Sequence, residues 1–231
     1  AILTSYVLQN RADFAGLEIA VTVLVFMAQV YADFSGGMDI SIGIAECCGI
    51  EMVQNFRRPH FAKSIAEYWR RWHITLGSWM KDYVLYPISL SKAFAKLGKK
   101  TRKWFGNYWG KQIPTCIAMG IVFLLVGIWH GASWNFVLWG LLYAVLLLFE
   151  KYILRPQARF SVPMHIYTLL FVMLGFVLFD AASVADAFMS FKSMFGFAGI
   201  PAVNAASLYY LKSNLVLLIV AAVGATPLPK R

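Results

Sequence analysis

Acidic residues are scarce in this sequence. It holds 11 Asp and Glu against 21 Lys and Arg in 231 residues, and charged side chains total only 14%. A soluble domain carries about 25% charged and 45–50% apolar residues. Here apolar residues reach 60%, aromatics 16%, and the mean hydropathy is +0.63. These figures exclude a disordered or collagen-like chain and argue against a water-soluble globule. Cysteine is scarce as well: Cys47, Cys48 and Cys116 form no disulfide framework and show no metal spacing, so they are read as small buried residues. Missing too are a Gly-x-Ser-x-Gly elbow, a phosphate-binding Walker loop, a His-Glu-x-x-His pair and a dinucleotide fingerprint. No repeat of 20–50 residues recurs. Residue 1 is Ala, no basic segment with a cleavage site follows it, and the chain reads as a piece of a longer protein.

The positive charge is concentrated. Residues 57–111 hold 13 of the 21 Lys and Arg with two acids, Glu67 and Asp82, a net +11, whereas the remainder of the chain is at −1. Long uncharged apolar runs flank this block. That context excludes nucleic acid as the partner and points to a cytoplasmic membrane flank, with residues 92–111 as a basic cytoplasmic loop.

Five spans are expected: one over Phe14–Tyr31, two within Ile113–Phe149, one over Met164–Phe179 and one over Leu208–Gly224, where Lys212 snorkels to the interface. Ile113–Phe149 is 37 residues without Lys, Arg, Asp or Glu. Basic flanks at 92–111, at Lys151, Arg155 and Arg159, and at Lys230 and Arg231 all fall on one side in this arrangement. Thr226–Arg231 reads as a loop beyond the last helix. Gly36–Met52 has the small residues of a tightly packed or re-entrant helix.

Ser64–Leu90 is too charged for a simple span. As one helix it places Trp69, Trp72, His73, Leu76, Met80 and Tyr83 on a single face, begins with a Ser64/Glu67 capping box, pairs Glu67 with Arg71 and ends at Pro87. Two settings suit it: an amphipathic helix in the membrane interface, or a helix buried in the bundle that carries polar groups to a site.

His130 is the one readily ionisable side chain in the 37-residue run, bracketed by Gly127 and Gly131. A lone histidine is ordinarily a hydrogen-bonded structural residue, but ionisable groups within a membrane are rare and functional by default. Its ordinary pKa suits general-base work. It lies either in a surface turn between two spans or deeper, in a polar cavity.

Several segments resemble the membrane-bound O-acyltransferase family, in particular its bacterial alginate O-acetylation branch. They are Tyr31-Ala-Asp-Phe-Ser-Gly36, Asn55-Phe-Arg-Arg-Pro-His60, Tyr68-Trp-Arg-Arg-Trp-His-Ile-Thr-Leu76 with Trp79 and Lys81-Asp-Tyr83, Trp129-His-Gly-Ala-Ser-Trp-Asn-Phe-Val-Leu-Trp-Gly140, and Phe179-Asp-Ala-Ala-Ser183. The resemblance implies an all-α polytopic membrane protein, one catalytic region over residues 1–231, with helices around a central tunnel. It implies that His130 is the catalytic histidine and His73 a second one at the same cavity, and that the first helices of the family are absent from this stretch. Gly37, Met38, Lys81 and Asp180 depart from the branch's usual residues.

The activity so implied is acyl transfer, acetyl in the first place, from a cytoplasmic thioester (acetyl-CoA or an acyl carrier protein) to a hydroxyl of an extracytoplasmic polysaccharide. Trp129, Asn135, Trp72, Arg70, Arg71 and Asp82 are the expected substrate-contacting residues. Arg70, Arg71 and the 92–103 cluster could receive an anionic donor, with topology and phospholipid contact as the alternative and the preferred reading for the 92–103 cluster, while Asp33, Asp39 and Asp82 are expected to pair with nearby Arg or Lys. No resident cofactor or metal is expected. Expected partners are a secreted SGNH-like protein and membrane lipid, and the expected location is a bacterial inner membrane. D-alanyl transfer to teichoic acid is the alternative, with a proton-coupled transporter or a silent scaffold as readings from another class.

Overall fold

The computed structural model describes residues 2–155 and 161–225. Arg159 and the whole of Thr226–Arg231, assigned above to basic flanks and a terminal loop, lie outside the described residues. Within them the chain is helical and has no strand. The helices are α1 (Ile2–Gln9), α2 (Gly16–Cys47), α3 (Ile65–Arg71), α4 (Ile74–Met80), α5 (Tyr86–Leu90), α6 (Lys92–His130), α7 (Trp134–Phe149), α8 (Ser161–Asp180), α9 (Val184–Met194), α10 (Ala205–Ser213) and α11 (Leu215–Ala225). Single π-helical turns at Lys81–Leu85 and Glu150–Leu154 link α4 to α5 and extend α7.

Among the described residues four helices are long and apolar enough to cross a membrane: Gly16–Cys47, Lys92–His130, Trp134–Leu154 and Ser161–Asp180. Gly16–Tyr31 of the expected span and Gly36–Cys47 of the segment expected as a tightly packed or re-entrant helix belong to one continuous helix, α2, with residues 48–52 beyond its end. Its adjacent glycines, Gly36 and Gly37, are both helical and make no turn. The expected span at Leu208–Gly224 is instead divided at Asn214 into α10 and α11, of 9 and 11 residues. Either piece is short of the roughly 20 residues a crossing needs.

The chain forms two compact units, residues 27–187 and residues 1–26 with 188–231. In the second, the start of α2 is held by Leu17 N–H donating to the Ala202 carbonyl at 2.7 Å, and Gly16 lies so close to the Ser193 and Met194 carbonyls that no Cβ would fit. Asn204 and Ser207 close a reciprocal capping box on α10.

In the larger unit α6 is a helical hairpin. Gly106, at φ +72°, reverses the chain between an arm over 92–105 and an arm over 107–130. The expected basic loop at 92–111 is therefore helical on both sides of one glycine. Pro114 has no N–H to offer the Gly110 carbonyl, and the Thr101 hydroxyl from the opposite arm supplies that bond at 2.7 Å. The long arm packs on α7 with near backbone contact: a Cβ on Gly127 would meet the Phe136 carbonyl, and one on Gly140 the Phe123 carbonyl. Small residues of this kind let apolar helices approach where no hydrophobic force separates them from lipid.

Ser64–Leu90 is broken rather than a single helix. Ser64 caps α3 through the Glu67 N–H, and Glu67 pairs with Arg71 as expected, but the Glu67 carboxylate reaches the Lys63 N–H instead of closing the box on Ser64. α3 ends at Trp72, and His73 takes a left-handed conformation (φ 48°, ψ 51°) before α4 begins. Pro87 lies in the first turn of α5 rather than ending the element, a position where a proline is tolerated. Cys47 and Cys48, expected inside, are exposed at and just beyond the end of α2, and Cys116 is half-buried. Asp33, Asp39 and Asp82 are exposed and, among the described residues, form no ion pair with Arg or Lys. Being exposed, they need no pairing.

Candidate active site

The break at His73 is imposed by a distant segment. Asn55, 3% exposed, accepts from Thr75 N–H at 3.0 Å and from the Thr75 hydroxyl at 2.9 Å through Oδ1, which also faces His73 Nδ1 at 3.3 Å. Its backbone carbonyl accepts from Ile74 N–H, and Arg57 N–H donates to the Arg71 carbonyl at the end of α3. One extended stretch thus satisfies the C-terminus of α3 and the N-terminus of α4 together. The resulting positive φ at a non-glycine residue is a strained conformation of the kind concentrated at functional sites. Burial holds the His73 imidazole below its usual pKa, so the ring is neutral near pH 7.

The other end of α3 is anchored by Glu150. Its carboxylate, 2% exposed, accepts from Ile65 N–H at 2.5 Å and Ala66 N–H at 3.0 Å, across more than eighty positions of sequence. These are free first-turn amides, and an anion there also complements the helix dipole. Between the two anchors, Trp69 packs its ring against Phe123, Trp139 and Tyr143, with centroids 5.1–5.7 Å away. α3 is thereby fixed to α6 and α7.

His130 is the last residue of α6. Its ring is enclosed edge-to-face by Trp129 at 4.8 Å, Trp139 at 5.0 Å and Phe179 at 5.1 Å. Gly131 follows because the Phe136 ring occupies the place of a Cβ. Neither His130 nitrogen has a hydrogen-bond partner among the described residues. His165, by contrast, holds the Ala62 carbonyl at 3.0 Å in a structural bond. Trp129 also meets His73, at 6.0 Å, so the two histidines converge on one indole.

Beside His73 lies a cavity of about 440 Å³, within the roughly 300–1,000 Å³ range of ligand pockets. Arg70, His73 and Lys81 give it polar groups, and Trp69, Phe123 and Val126 are part of its apolar wall. The expected contacts fall in different places. Arg70 lines the cavity. Arg71 is turned to Glu67 and the Arg58 carbonyl. Trp72 is buried, stacked on Tyr68 at 5.7 Å and edge-on to Phe56 and Phe176. Asn135 is buried with Nδ2 donating to the Ala181 carbonyl at 2.8 Å, while its Oδ1 has no partner. Asp82 is exposed and outside the cavity wall. Asn55 and Glu150 were not among the expected site residues. For Glu150 a signal existed: it is the lone acid between Asp82 and Asp180 and directly borders the apolar run.

Comparison with known proteins decides the family. The model of the membrane-bound O-acyltransferase family matches residues 10–102 and 109–197. The chain belongs to the membrane-bound O-acyltransferase family. It is similar to a probable alginate O-acetylase AlgI of Azotobacter vinelandii, 35% identical over 176 residues, covering 75% of this chain and 32% of the relative. It is also similar to a peptidoglycan O-acetyltransferase of Helicobacter pylori, 31% identical over 189 residues, covering 80% and 33%. A teichoic acid D-alanyltransferase of Bacillus subtilis is 30% identical over 162 residues, covering 65% and 38%. The matched stretch is about a third of the length of these relatives. For this member of the membrane-bound O-acyltransferase family, both histidines, their shared tryptophan and the cavity lie inside the matched residues.

Proposed function

We propose that this chain carries the catalytic histidines of a membrane O-acyltransferase that moves an acetyl group from a thioester donor to a hydroxyl of an extracytoplasmic polysaccharide. The observation that carries this reading is the state of His130: an imidazole walled by three aromatic rings, with both nitrogens unpartnered among the described residues. His165, by contrast, is tied to the backbone, and the unpartnered His60 lies away from Trp129, among Tyr31, Tyr68 and Trp72.

In the proposed reaction one His130 nitrogen accepts the proton of the acceptor hydroxyl as its oxygen attacks the thioester carbonyl. The new C–O bond forms, the C–S bond breaks, and the departing thiolate takes the proton. General-base assistance of this kind is worth about 10²–10⁴-fold. Trp139 and Phe179 cover part of the ring and limit the approach of water that would hydrolyse the donor. His73, held neutral, orients the reacting groups across Trp129. The 440 Å³ cavity suits the acyl arm, with Arg70 and Lys81 receiving the anionic part of acetyl-CoA or of an acyl carrier protein thioester.

The relatives named above, which modify alginate, peptidoglycan and teichoic acid, support a cell-envelope polymer as acceptor in a bacterial inner membrane. A secreted SGNH-like protein is the proposed partner for passing the acetyl group onward. The reading is tested with the full-length protein in membranes, supplied with labelled acetyl and D-alanyl thioesters in turn. Label from the acetyl donor in envelope polysaccharide supports it. Label only from the D-alanyl donor overturns the acetyl assignment.

A further inference from the structure

We propose that the cleft between the two arms of α6 is a phosphate site that takes the headgroup of an anionic membrane phospholipid. The cleft is separate from the cavity beside His73. It has a volume of about 240 Å³ and is lined by Arg102, Lys111, Ser89, Thr115, Phe94 and Pro114, among others. The Arg102 guanidinium folds back over Gly98, where a Cβ would stand 3.8 Å from Nη2 and 3.8 Å from the Pro114 ring.

Arg102, Lys111, Ser89 and Thr115 are all exposed, so their polar groups are open to a ligand: among the described residues neither Arg102 nor Lys111 has an ion pair, and the Ser89 and Thr115 hydroxyls have no hydrogen bond. No acid nearby competes for the two cations, since residues 83–149 contain no Asp or Glu. Two cations and two hydroxyl donors converging on one small cleft match the oxygens of a phosphodiester.

Position and size favour a lipid over a soluble phosphate. Lys111 is the last Lys or Arg before the apolar run, and Pro114 and Thr115 form that run's first turn. The cleft therefore stands where the chain passes from charged to apolar, the level of lipid headgroups. Phe94 and Pro114 provide an apolar wall for the glycerol end. At about 240 Å³ the cleft is smaller than the sites that enclose drug-sized ligands, so it suits a headgroup better than a whole nucleotide.

The test is lipid binding by the full chain in detergent, followed by native mass spectrometry across a titration with phosphatidylglycerol. Arg102→Gln with Lys111→Gln should weaken binding about tenfold or more. Lys99→Gln with Lys103→Gln removes equal charge from the same hairpin outside the cleft and should change it less than about twofold. Thr115→Val keeps the charge and should also weaken binding, which preserves the test if the double variant fails to insert. Equal losses in the two lysine and arginine pairs would overturn the site in favour of diffuse attraction. Binding of coenzyme A or inorganic phosphate that depends on Arg102 and Lys111, without binding of phosphatidylglycerol, would overturn the lipid assignment.

Discussion

His73 and His130 meet the same indole: Trp129 lies 6.0 Å from the first imidazole and 4.8 Å from the second, steeply inclined to both. They come from different parts of the fold, one from a strained turn between two short helices and one from the end of a long apolar helix. Their convergence depends on groups that do no chemistry themselves, so it is at those groups that the architecture is most open to test.

Asn55 holds the turn that presents His73. Asn55→Ala removes the acceptor for the Thr75 amide and hydroxyl and should cost about 1–3 kcal/mol. Asn55→Asp keeps an acceptor in place and should restore most of the loss. Thermal unfolding of the purified chain in detergent checks the stability. In the full-length protein, kcat for acyl transfer should fall and KM should rise with it, because the turn held by Asn55 both sets His73 beside Trp129 and lines the donor cavity.

Glu150 caps α3 from the far end of α7. Glu150→Ala leaves two first-turn amides without a partner, one of them on the fully buried Ile65, and should destabilise the fold by about 2–4 kcal/mol. Glu150→Gln keeps one acceptor oxygen and should fall between the two. Unfolding midpoints of the three proteins check the order.

His60 gives the fold a pH dependence of defined sign. Its Nε2 is buried without a partner, and burial lowers its pKa from 6.5 to about 4. As pH falls the unfolded chain takes up this proton first. The contribution is therefore whole above about pH 6.5 and is lost progressively toward pH 4. The midpoint of the wild-type chain should fall further between pH 7 and pH 5 than that of His60→Phe, which carries no proton at this position. Parallel curves for the two proteins would contradict the assignment.

Periodicity and charge made the long helices legible. An uncharged run of 37 residues cannot avoid being helical and membrane-embedded, and α6 and α7 divide it at His130–Ser133. The Ser64 cap and the Glu67–Arg71 pair were local and were also readable. What escaped was decided by partners remote in sequence. The break at His73 answers to Asn55, eighteen residues upstream, so the helical spacing of 64–90 gave no sign of it. The capping of α3 answers to Glu150. Conversely, Leu208–Gly224 is apolar enough for a span, but hydropathy averages over Asn214, where the helix breaks. For the site, residue types and motifs singled out His130 and His73, while the arrangement of Trp129 between them and of Trp139 and Phe179 around His130 needed the packing of α6, α7 and α8.

The central claim is that His130 is the base for acyl transfer, and its most direct measurement is single-turnover transfer of a labelled acetyl group by the full-length protein carrying His130→Ala. The account predicts transfer slowed by about 10²-fold or more, with wild-type levels of protein in the membrane. Transfer at the wild-type rate by a properly inserted His130→Ala protein would contradict it.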